Sequence, residues 1–149
     1  MSSFTKLADK RLDSSQVTAE YEIQDFTMGG NYPVLTVRPA TSDNKGLLNE
    51  TLKSTTRKTI RKGKLNAHML DRMRDEDRKL YAKHVLVSWK NVINDDGEHA
   101  PFNAENALAF LEAIDNHTFE DLRDFCREPE NFGSEEFDTE ELVGNSSTE

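Results

Sequence analysis

Between Val85 and Asn103 the hydrophobic pattern switches from period two to a helical period across a tight turn, which leaves few folds open to the chain. Val85, Val87 and Trp89 alternate with more polar neighbours, as in a half-buried strand over Val85 to Val92. Asn94, Asp95, Asp96 and Gly97 follow as a turn, because Asp-Gly tolerates the positive φ that a tight hairpin needs. Pro101 and Phe102 then lead to Asn103, a good N-cap for a helix over about residues 104–115. A strand bent back on itself and followed at once by a capped helix requires a mixed architecture.

The rest of the chain supplies matching pieces. Val17, Ala19, Tyr21 and Ile23 alternate with Thr18, Glu20, Glu22 and Gln24, giving a strand with one wet face. Thr27 to Asn31 makes a glycine-containing turn, and Tyr32 to Arg38 returns as a second strand, so a hairpin is expected over about residues 17–38. A weak helical stripe (Leu47, Leu48, Leu52, Thr55, Ile60) begins near Ser42 and stops at Gly63. A stronger helix is expected from about Asn66 to Lys83 with Leu70, Met73, Leu80 and Tyr81 inward. Thr118 is expected to cap a last helix over Phe119 to Arg127, with Phe119, Leu122, Phe125 and Cys126 on one face and Pro129 as its stop. The fold class is therefore α+β: two small antiparallel β-hairpins packed with about four helices. Residues 1–15 are expected to be a flexible N-terminus, 16–132 a single domain, and 133–149 a disordered acidic tail.

Charge is segregated. Residues 1–50 net −2, residues 51–90 net +8 and residues 91–149 net −15, within an overall −9. Basic and acidic blocks of this size can pair within or between chains, and the acidic end repels nucleic acid. One cysteine precludes an internal disulfide framework and fits a reducing compartment. No run approaches the ~18–20 apolar residues needed to cross a bilayer, so no membrane partner is expected.

Catalytic and metal signatures are weak. His68, His84, His99 and His117 stand singly, without H-x-x-x-H spacing, and the Asn94–Gly97 turn lacks the spaced ligands of a calcium loop. Cys126 has Asp124 and Glu128 near it, which oppose a thiolate. No nucleophile, base and oxyanion set can be assembled, so neither an enzyme, a cofactor nor a metal is expected. Arg57, Lys58, Arg61 and Lys62 fall on adjoining helical faces and could contact an anionic partner. No aromatic residues interleave with them for base stacking, which disfavours nucleic acid. Trp89, Phe102, Leu108, Phe110, Leu111, Phe119 and Phe125 are the candidate partner-binding residues, since helix-in-groove recognition needs apolar anchors.

The order of motifs resembles the tail assembly chaperones of long-tailed bacteriophages: the strand ending in Trp89, the acidic turn Asp95-Asp96-Gly97, Pro101-Phe102, Glu105-Asn106 in the helix, and Asn131-Phe132. The likeness covers about residues 32–132. It implies a non-enzymatic factor that binds the tape measure protein and keeps it soluble while the tail tube assembles. It also implies work in the cytoplasm of the infected host, absence from the mature virion, and self-association along the client. Family members are often made in two lengths by frameshifting. Val143-Gly144-Asn145 can be encoded with a slippery heptamer, so a longer frameshifted form is a further candidate partner. The rival readings are a virion structural protein of the head–tail or tail, and a small nucleic-acid-binding regulator using residues 53–64.

Overall fold

The computed structural model describes residues 4–5, 17–53 and 66–133. Apart from residues 4, 5 and 133, the expected flexible N-terminus and acidic tail lie outside the described residues. So do Arg57, Lys58, Arg61 and Lys62 and the second half of the helix expected to end at Gly63.

The element order is β1 (Ala19–Glu22), β2 (Val34–Val37), α1 (Lys45–Leu52), α2 (Ala67–His84), β3 (Leu86–Lys90), α3 (Ala104–Ala113), α4 (Asn116–Arg127) and a 3-10 turn (Pro129–Phe132). The α+β class holds. Its two antiparallel strand pairs share β2, giving one sheet in the order β1-β2-β3. Beyond β3, the Asn94–Gly97 turn closes on a single bridge, Ile93 to His99.

Both turns follow from their residues. Met28 and Asn31 exchange backbone bonds around Gly29 and Gly30, whose φ values of 61° and 85° suit a two-residue hairpin loop with the twist of the flanking strands. In the second turn, Asn94 Oδ1 accepts from the Asp96 and Glu98 amides, and Gly97 takes φ 81°.

On the inner face of the sheet, Ala19 pairs with Val37 and Tyr21 with Leu35, while Leu35 also pairs with Trp89. The expected alternation holds, with Val85 buried and Val87 and Trp89 half-buried beside exposed Ser88 and Lys90, and a register shift between Thr36 and Val37 adds Leu86 to the buried side opposite Val37. Leu86 is therefore buried and Val87 only half-buried. Asn66 and Asn103 cap α2 and α3 by accepting from Met69 N and Asn106 N. The last helix starts one turn earlier than expected. Asp115, not Thr118, is its cap, and accepts from Thr118 N at 2.8 Å. Thr118 is buried, its hydroxyl donating to Asp25 Oδ2.

α2 differs from its expected face in an instructive way. Leu70 is exposed, while Asp77 and Arg78 are buried beside Met69, Tyr81 and Ala82. Arg78 reaches under the end of α3: Nε donates to Leu111 O (2.7 Å), one terminal nitrogen to Ile114 O (2.9 Å), and the other to Asn116 Oδ1 (3.1 Å). Carbonyls that a helix end leaves unpaired are thus satisfied by a side chain from another helix. Asp77 pairs with Arg123 of α4 at 3.0 Å, and the guanidiniums of Arg78 and Arg123 lie 4.9 and 5.7 Å from the centre of the Phe119 ring.

α1 is held against the end of α2. Buried Asn44 accepts from Leu47 N and donates to Pro39 O and His84 O, both at 3.0 Å. Gly46 lets the His84 ring approach, because a Cβ there would stand 2.6 Å from Nδ1. Glu50 accepts from His84 Nε2 and from Lys83 Nζ (3.2 Å). The bond from His84, then that from Lys83, hold the Glu50 carboxyl below its ordinary value. This contribution to stability is complete above the ordinary glutamate range and is lost as pH falls through the depressed folded value. Acid titration of the melting temperature should therefore fall more steeply for the wild type than for Glu50→Gln. Parallel curves would remove Glu50 from the acid response.

Candidate partner-binding face

The seven apolar candidates separate by burial. Leu111 and Phe119 have no exposed surface and Phe110 only 8%, so these three build the core. Trp89, Phe102, Leu108 and Phe125 are half-buried and pack on its margin. Trp89 stands edge-on to Phe102 at 5.0 Å and meets Phe110 at 5.5 Å, its indole N–H donating to Ala100 O at 2.8 Å. Asn106 Nδ2 donates to Pro101 O and fixes the Pro-Phe segment over the start of α3. On the far side, Phe125 lies between Tyr21 at 4.9 Å and Phe132 at 5.9 Å, and Asn131 Nδ2 donates to Phe125 O. The tryptophan strand and the Pro-Phe pair are thus fastened to the margin of the core, while Phe132 of the Asn-Phe pair is buried within it.

Phe110 also borders a groove of about 490 Å³ between the β1–β2 connection and the corner joining α3 to α4. Phe26, Met28, Phe110, Ala113 and Ile114 provide its apolar lining, and Asp25, Asp115 and Thr118 its polar lining. Buried Thr118 fixes both carboxylates, the hydroxyl donating to Asp25 and the amide to Asp115. The Thr118 amide above all holds the Asp115 carboxyl below its ordinary value, so it stays ionised at neutral pH. Nothing in the sequence pattern points to this groove, because it forms where segments almost a hundred residues apart meet.

Asp25, His117 and Asp121 meet just beyond that rim, each offering a ligand atom within 4.8 Å of the others, and this is where the described residues could hold a metal ion. His117 and Asp121 lie one helical turn apart, 3.4 Å between Nε2 and Oδ2. A search confined to paired histidines misses such a set. Asp25 and His117 are exposed, and exposed acidic groups often gather this way without an ion. Burial, with repulsion from Asp121 and Asp25 added to it, raises the Tyr21 hydroxyl to about 12. Cys126 is fully buried, and burial pushes its thiol well above the ordinary range, which leaves it a small core hydrophobe. Among the described residues, no helix is long and apolar enough to cross a membrane.

The family model described as YdaY prophage protein matches residues 43–145, well over half of the chain. The chain belongs to this family. It is therefore a protein of phage origin, in keeping with the origin that the motif order implied. The YdaY description names no partner and no step of tail assembly. Comparisons with curated proteins and with solved structures gave no match. The YdaY match spans α1 to the 3-10 turn and leaves out β1 and β2, although β2 is the central strand on which β3 pairs.

Proposed function

We propose that this YdaY-family protein is a tail assembly chaperone, which binds the tape measure protein and keeps it soluble while the tail tube assembles. The observation that carries this reading is the packing of three of the candidate aromatic residues. Trp89, Phe102 and Phe125 are held half-open on the core margin by Trp89–Ala100, Asn106–Pro101 and Asn131–Phe125 hydrogen bonds. A chaperone for a long helical client needs apolar anchors that stay accessible without unfolding, and aromatic rings fixed in this way meet that need. Phage origin adds support. Binding is non-covalent and takes place in the cytoplasm of the infected host. The protein leaves before the virion is complete.

Co-expression with the tape measure protein of the same genome tests the proposal. The tape measure protein should move to the soluble fraction and co-elute with this chain. A tape measure that stays insoluble and unbound, together with stoichiometric copies of this protein in purified particles, would replace the proposal with a structural role in the virion.

A further inference from the structure

The groove between the β1–β2 connection and the α3–α4 corner has a fixed polarity. Its floor is made by Phe26, Met28 and Phe110, and Thr118 pins two carboxylates, Asp25 and Asp115, to one end. His117 and Asp121 stand beside Asp25, the three ligand atoms within 4.8 Å of one another. Among the described residues, no lysine or arginine lines the groove. Arg78 approaches from the core side, but it is buried and bonded to Leu111 O, Ile114 O and Asn116. The C-terminal end of α3 and the N-terminal end of α4 meet here, and their partial charges oppose one another, so the carboxylates set the local potential. A volume of about 490 Å³ lies within the ~300–1,000 Å³ common for ligand sites and admits a large side chain with its neighbours.

We infer that the groove takes an amphipathic, net-cationic helical segment of the client, seating a large apolar side chain on Phe26, Met28 and Phe110 and placing a lysine or arginine one turn away against Asp25 and Asp115. The inference rests on the chaperone reading for the identity of the client and adds the chemistry by which the client is recognised. A lysine or arginine suits the site because its methylene stem extends the apolar contact while its head reaches the carboxylates. An acidic or neutral segment gains the apolar term alone and, if acidic, meets repulsion at the rim.

The test uses the full chain and two labelled helical peptides of about 18 residues, one of leucine and lysine and one of leucine and glutamate with the same apolar stripe. Fluorescence anisotropy should show binding of the lysine peptide, weakening as salt rises, and at least about tenfold weaker binding of the glutamate peptide. The double variant Asp25→Asn, Asp115→Asn keeps the acceptors for Thr118 and should lower affinity for the lysine peptide about tenfold. Ala113 is exposed, and Ala113→Trp should fill the groove and abolish binding. If that variant melts early, Ala113→Lys gives a second test, since a cation at a helix end is tolerated and should reverse the peptide preference. Equal binding of both peptides, or binding that none of these variants alters, overturns the inference. Tape measure solubilised equally by wild type and Ala113→Trp would remove the groove and leave the chaperone reading intact. Charge-selective, groove-dependent peptide binding without solubilisation of the tape measure would remove that reading and leave the groove's chemistry standing.

Discussion

Arg78→Ala should destabilise the fold by about 3–5 kcal/mol, the scale of leaving two buried carbonyls without donors and losing a cation–ring contact, although Arg78 touches neither aromatic cluster on the core margin. The guanidinium joins α2 to the end of α3 and the start of α4 through Leu111 O, Ile114 O and Asn116 Oδ1. Truncation leaves two buried carbonyls without a donor, each at a cost of roughly 1–3 kcal/mol, and removes the cation from the Phe119 ring. Against a typical domain stability of about 5–15 kcal/mol, a loss of this size is a large fraction of the whole. Urea unfolding should show a much lower midpoint with little change in slope. Arg78→Lys should recover only a minor part, because a single ammonium cannot reproduce a planar fork that meets three acceptors in different directions. A midpoint shift worth less than about 1 kcal/mol would mean that water can replace these bonds and that the α3–α4 corner is less dry than its burial suggests.

What could be read from the sequence divides along a physical line. Elements specified by neighbouring residues were legible: the wet-faced strand Ala19–Glu22, the Gly29-Gly30 and Asp96-Gly97 turns, the start of α2 near Asn66 and the asparagine cap at 103. Elements specified by distant partners were not. An apolar stripe drawn along α2 selects Leu70 and passes over Asp77 and Arg78, because their burial depends on Arg123 and on carbonyls of α3. The shift that adds Leu86 to the buried side lies in the pairing with β2 and leaves no mark in β3 itself. Asp115 displaces Thr118 as cap because Asp25, from the other end of the chain, engages the Thr118 hydroxyl. The candidate face follows the same rule. Its aromatic residues were visible as residues, but which of them face outward depends on the packing of α3 and α4. The groove is built from residues 25–28 and 110–118, so no local window contains it.

Phe119→Ala should cost about 3–5 kcal/mol, whereas Phe102→Ala should leave the melting temperature within a few degrees of wild type. Phe119 has no exposed surface. Its ring meets Tyr81 edge-on at 5.5 Å and lies within 4.9 and 5.7 Å of two guanidiniums. Removing it opens a cavity where α2 and α4 meet, and it leaves Arg78 and Arg123 facing a void rather than a ring. Phe102 is half-buried and contributes one edge-on contact to Trp89. Under the chaperone proposal the order reverses for the client, since Phe102→Ala should weaken tape measure retention in protein that is still folded. Because Phe119 and Arg78 touch, the double variant Phe119→Ala, Arg78→Ala should cost less than the two single losses together, a coupling of about 0.5–3 kcal/mol in denaturant titration. Strict additivity would show that the ring and the guanidinium stabilise the α2–α4 contact independently, and would leave the burial of Arg78 to be explained by its carbonyl bonds alone.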